Sequence, residues 1–196
     1  MEKIDCREYM RSRHFYETVN EMCIMAGQLH ADVNQMYDNK PYIYHLLSVK
    51  DYTVKYLADV CDDVNDVIPI VFGALFHDSI EDARLTYNDV MKIAKKYMDD
   101  EQAYTATEIV YALTNEKGRN RHERANDKYY QGIRECLYAP LVKASDRLAN
   151  YNYAKTVHSK MEKCYQAEMK DFVKDALTSE SGELLVPYEM INELLS

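Results

Sequence analysis

The sequence has no tryptophan, and only five glycines, four prolines and five cysteines occur among its 196 residues. With so little glycine and proline, no stretch rich in either, or in serine, divides the chain, and a single domain over residues 1–196 is expected. Cys6, Cys23, Cys61, Cys136 and Cys164 are odd in number, widely scattered and form no CxxC pair. This argues against a disulfide framework or a zinc knuckle and points to reduced thiols used in packing. No apolar run reaches the roughly 18 residues of a membrane span, and the N-terminus lacks the basic and apolar regions of a secretory leader. A cytoplasmic protein with no membrane partner is the expectation.

Positive charge is also in short supply. Lysine and arginine total 24 against 33 acidic residues, giving a net charge of -9 and a pI near 5.2. Such a chain lacks the extended electropositive surface that DNA or RNA requires, so no nucleic-acid partner is expected. A small anion is still compatible, because a phosphate needs only local cations. The interval "EKGRNRHER" gathers Lys117, Arg119, Arg121 and Arg124, and reads equally as a solvated charged loop.

What the sequence has in abundance is helical periodicity. Apolar residues recur at three- and four-residue spacing over 15–30, 42–60, 87–98, 102–114, 127–136, 141–154 and 159–177, with a short terminal helix over 188–195. Thr86 and Asp89 have the spacing of a capping box, and Pro140 stands where a helix opens. "NDVIPIVFGALFHD" is apolar on every side, which places that helix at the centre of the molecule. The fold class is therefore all-α, a compact bundle of roughly eight helices. The 18 tyrosines, spread over every helix, read as amphipathic core-edge residues and not as a stacking platform.

The central helix ends in "ALFHDSIED", with one imidazole and three carboxylates close together. Residues four apart share a helix face, so His77 lines up with Glu81 and Asp78 with Asp82. Crowded carboxylates at the end of a core helix require a cation, either an arginine or a metal. His45 near the start of the second helix, and Asp146 at the end of the apolar run in "LVKASDRLAN", complete a candidate set of His45, His77, Asp78 and Asp146. Two imidazoles with two carboxylates suit manganese, iron or magnesium better than structural zinc.

The series "PYIYHLLSV", "ALFHDSIEDA", "LTNEKGRNRHER" and "LVKASDRLANY" resembles the HD-domain metal-dependent phosphohydrolases. Within them it is similar to the hydrolase domain of RelA/SpoT-type alarmone enzymes and to the stand-alone small alarmone hydrolases. The resemblance covers about residues 20–175 and leaves 176–196 as a C-terminal helical extension. It implies an all-α HD-type bundle, a single manganese ion on His45, His77, Asp78 and Asp146, and a water-handling pair in Glu81 and Asp82. Asn150 matches a nucleoside contact, Lys117 a residue near substrate phosphates, and Tyr165 a tyrosine near the substrate. Arg121 and Arg124 would offset further phosphate charge. The implied reaction removes the 3′-pyrophosphate of ppGpp or pppGpp, without synthetase activity. The chain departs from the pattern at Met36, Tyr37 and Asn39, where relatives carry a basic pair and a glycine, and at Leu46 in place of proline. Two alternatives stand beside the alarmone reading: an HD phosphohydrolase for another nucleotide, such as the 2′-phosphate of NADPH, a nucleoside monophosphate or a cyclic nucleotide, and a non-catalytic nucleotide-binding module.

Overall fold

Five of the helices begin where a short polar side chain takes up a free amide group. In the computed structural model, which describes residues 5–115 and 119–196, Asp5 caps α1 (Cys6–Tyr9) and Ser12 caps α2 (Arg13–Asp32). A two-residue hairpin, β1 (Met36–Tyr37) and β2 (Lys40–Pro41), leads into α3 (Ile43–Leu57). A 3-10 turn at Val64–Asp66 precedes α4 (Val67–Phe76). Capping boxes of Thr86 with Asp89 and of Asp99 with Gln102 open α5 (Tyr87–Ala94) and α6 (Asp100–Leu113). Then come α7 (Arg121–Arg124), α8 (Asp127–Glu135), α9 (Ala139–Thr156), α10 (Met161–Leu177) and α11 (Tyr188–Leu195).

The chain is an all-α bundle. Its described helical segments number eleven against the roughly eight expected, and two of them, α1 and α7, are single turns. All ten residues of α4 are buried, and α3, α6, α2 and α9 pack around it. Phe72 and Phe76 stack at 4.1 Å along its axis. Gly73 lets α6 approach closely: a β-carbon there would stand 2.5 Å from Ile109 Cγ2. The five cysteines are free, and no described helix is long and apolar enough to cross a membrane.

Two local features differ from the sequence reading. The turn at "DNKP" is the tip of a hairpin pairing Met36 with Pro41 and Tyr37 with Lys40. Asn34 and Asp38 adopt positive φ, which their short polar side chains tolerate, and strands of two residues carry no alternation to read. The central helix stops at Phe76 instead of running through the acidic stretch, since carboxylates at a helix C-terminus oppose its dipole. One helical bond survives beyond it, from Asp82 N–H to the Asp78 carbonyl at 2.8 Å. The C-terminal extension is part of the bundle: Met190, Ile191 and Leu194 of α11 are buried, and Glu193 accepts from Lys55 Nζ at 2.6 Å and from the Tyr56 hydroxyl.

Candidate metal centre

Three helices bring the candidate ligands to one point. His45 lies in the first turn of α3, His77 caps the C-terminus of α4 with Asp78 following, and Asp146 projects from the middle of α9. The Nε2 atoms of His45 and His77 are 3.4 Å apart. Asp78 Oδ2 lies 2.9 Å from His77 Nε2 and 3.6 Å from His45 Nε2, while Asp146 Oδ1 lies 3.4 Å from His45 Nε2 and 3.7 Å from His77 Nε2. Donors sharing one ion at roughly 2.1 Å each stand roughly 3 to 3.5 Å apart, close to these separations. His45, His77 and Asp146 form a mutual group able to hold an ion, and Asp78 lies against both imidazoles of it.

The chemistry of this donor set calls for a cation. His77 Nδ1 is 2.9 Å from the Ala74 carbonyl oxygen, an arrangement satisfied when Nδ1 carries the proton. In that tautomer Nε2 presents a lone pair to the oxygens of Asp78 and Asp146, so electron-pair donors face one another. A proton or a metal ion must lie among them. The titration behaviour follows. Burial works against charge on His45, but hydrogen bonds to Asp146 and Asp78 outweigh it and push the imidazole up to about 9. Asp78 and Asp146 are held well below the ordinary carboxylate value: burial opposes this, and the nearby imidazoles, with Lys143 beside Asp146, overcome it. The residues present fit a divalent ion.

Around this centre lies a shell of neutral and cationic donors. The Tyr42 hydroxyl donates to Asp78 Oδ2 at 2.5 Å and lies 3.1 Å from Asp82 Oδ2, and Gln35 Nε2 donates to the same Asp82 oxygen at 3.2 Å. Lys143 Nζ donates to Asp146 Oδ2 at 3.0 Å, and Asn150 Nδ2 to Asp146 Oδ1 at 2.6 Å. His30 is buried and stacks on Tyr42 at 4.4 Å, with no hydrogen-bond partner on either ring nitrogen among the described residues.

The acidic pair divides. Asp82 stays beside Asp78, and burial together with the Asp78 charge raises its pKa above the ordinary value, the Tyr42 hydrogen bond opposing. Glu81 turns toward the end of α6, where its two oxygens accept from the backbone N–H and the side-chain Nδ2 of Asn115. Asn150 is near the centre, but both ends of its amide are engaged, with Asp146 and with the Tyr37 hydroxyl at 2.9 Å. Tyr165 has its ring 5.1 Å from the Arg147 guanidinium. Arg124 is exposed at the end of α7. Lys117 and the side chain of Arg121 lie outside the described residues.

Sequence reasoning did not assign roles to Tyr42, Asn115, Lys143 and Gln35. Tyr42 precedes His45 by three residues and Lys143 precedes Asp146 by three, so same-face spacing signals both. Asn115 and Gln35 reach the site from distant segments and leave no local signal. Tyr37 does more than depart from a pattern: its ring stacks on His45 at 4.7 Å and 17° and lies 4.7 Å from that of Tyr153. Comparison with protein-family models, curated proteins and solved structures returns no match to this chain.

Proposed function

We propose that this chain is a metal-dependent phosphohydrolase of the HD type that acts on a phosphorylated nucleotide, with the 3′-pyrophosphate of ppGpp or pppGpp as the leading substrate. The observation that carries the reading is the meeting of His45, His77, Asp78 and Asp146 beside a carboxylate, Asp82, that is not needed to complete the ligand set. These four residues would hold manganese, with iron or magnesium as the other candidates for the same donors. A bound divalent ion supplies Lewis-acid charge and makes water a stronger acid.

The remaining chemistry belongs to the side chains. Asp82, raised by burial and by Asp78, is the carboxylate suited to accept a proton from the attacking water and return it to the leaving group. Tyr42 fixes its distance from Asp78, and Gln35 holds the same oxygen from the other chain segment. Glu81, with both oxygens on Asn115, orients the loop that carries Asp82. Cations near the site, Arg124 among them, offset the phosphate charge that the centre leaves uncompensated.

A second reading, hydrolysis of a nucleotide other than guanosine, is favoured by the engagement of Asn150 with Tyr37 and Asp146, which leaves neither end of its amide for a nucleoside. One assay separates the two. Metal-free protein resupplied with manganese is offered ppGpp, NADPH, nucleoside monophosphates and cyclic nucleotides, with Asp78→Ala as control. Manganese-dependent release of pyrophosphate from ppGpp, absent in the variant, supports the leading reading. Turnover of another member of the panel selects the second, and nucleotide binding without turnover of any would make the chain a binding module.

A further inference from the structure

Asp146 faces the histidines with Oδ1 and Lys143 with Oδ2. Beyond Lys143 lies a hollow of about 240 Å³ whose walls include Asn115, Arg124, Tyr129, Tyr130, Lys143 and Arg147. Three basic groups thus converge in a chain whose net charge is -9. Arg147 is 7% exposed, ion-pairs with Glu168 at 3.2 Å and lies 4.3 Å from the Phe172 ring, so its guanidinium is held in place. Lys143 is largely buried, with its ammonium 5.7 Å from the Tyr129 ring. Its one carboxylate partner among the described residues is Asp146. No described carboxylate pairs with the Arg124 guanidinium, which is exposed at the rim.

The hollow is wired to the reaction machinery at two points. Asn115 in its wall holds both oxygens of Glu81, and Lys143 holds the metal-facing carboxylate Asp146. A divalent ion on Asp146 draws on the same carboxylate charge that balances Lys143, which leaves the hollow more positive when the centre is loaded. Its volume is below the roughly 300–1,000 Å³ of pockets that take a drug-sized ligand, yet suits a compact anion.

We propose that the hollow formed by Arg124, Lys143 and Arg147 is an anion subsite that takes a phosphoryl or diphosphoryl group of the nucleotide, one that is not cleaved. This rests on the phosphohydrolase reading and sharpens it. A substrate spanning both places carries phosphoryl groups at two separate positions, which favours a bisphosphorylated nucleotide over a nucleoside monophosphate or a cyclic nucleotide. Recognition then comes through the second phosphate, on the Oδ2 side of Asp146 where Lys143 lies.

The test is calorimetric and does not depend on turnover. Metal-free protein comprising residues 1–196 is titrated with pyrophosphate, with ppGpp in competition, and separately with manganese, in the natural sequence and in Arg124→Glu. Arg124 is exposed, so the variant should fold, and an unchanged circular dichroism spectrum checks this. Saturable pyrophosphate binding, weakened about tenfold or more by Arg124→Glu while manganese binding is unchanged, is the expected result. No saturable binding, or equal binding by the variant, would overturn the subsite. Displacement of pyrophosphate by ppGpp supports its assignment to the substrate; failure to displace it overturns that assignment in favour of a free anion. Loss of manganese binding by the natural sequence would sink the phosphohydrolase reading instead, so the two failures are distinguishable.

Discussion

The Tyr42 hydroxyl stands 2.5 Å from Asp78 Oδ2, and with the same oxygen it lies 3.1 Å from Asp82. One phenol therefore ties Asp78, a proposed metal ligand, to Asp82, the carboxylate proposed to handle protons. Its own ionisation is strongly suppressed by burial and by the Asp78 charge, so it acts as a fixed donor. Tyr42→Phe keeps the ring stacked on His30 and removes only the hydroxyl. Manganese affinity should fall about 10- to 100-fold, the usual effect of removing a partner of a ligand, with the melting temperature little changed. Calorimetric titration of the variant checks this; an unaltered affinity would mean that Tyr42 does not orient Asp78.

Asp82 and Glu81 should separate in kinetics. Asp82→Asn leaves the ligands in place and should lower kcat by roughly 10²- to 10⁴-fold at unchanged manganese affinity. Glu81→Gln puts a donor where Asn115 presents two donors, so it should cost less than Asp82→Asn and act by misplacing the loop. Because Asp82 is raised, activity requiring its charged form is present above its pKa and lost as pH falls through it. In the metal-free protein that pKa lies above the ordinary carboxylate value of 3.8, and the acid limb of kcat should disappear in Asp82→Asn. A larger loss in Glu81→Gln would reverse the two roles.

The parts of this site that short segments carry were legible in the sequence. His77 and Asp78 close an apolar helix, His45 lies in the first turn of a helix that follows a recognisable turn, and Asp146 lies in the middle of a helix opened by a proline. The capping box of Thr86 and Asp89 is local by nature and forms as expected. Contacts between segments left no such trace: Asn115 reaches Glu81 across 34 positions, and Tyr37 reaches Asn150 across 113. In the acidic stretch four-residue spacing fits a helix and a tight turn alike, and only the opposed helix dipole argues for the turn that follows Phe76.

Gly73 links the packing of the bundle to the centre. Alanine there places a β-carbon 2.5 Å from Ile109 Cγ2, between two helices with no slack. Gly73→Ala should destabilise the fold by about 1–3 kcal/mol, seen as a fall of several degrees in melting temperature. Since His77 caps α4, relief by a shift of that helix should also weaken manganese binding. A variant that melts as the natural protein does would show that α6 yields freely at Ile109.

Metal binding should be linked to pH through His45. In the metal-free protein its pKa stands at about 9 against an ordinary 6.5: burial lowers it, but the hydrogen bonds to Asp146 and Asp78 raise it further. At neutral pH the ring carries a proton that a metal must displace, because only the neutral imidazole is a ligand. Manganese affinity should therefore rise with pH above neutrality and level off beyond about 9. Stability runs the other way. The imidazolium's contribution to the metal-free fold is complete below 6.5 and is lost as pH rises through about 9, so the metal-free melting temperature should fall across that window. The manganese-loaded protein should not follow, since the ion takes over the charge that the proton supplied. Titrations and melts at matched pH values test both halves. Affinity independent of pH, together with parallel melting curves, would remove His45 from the ligand set.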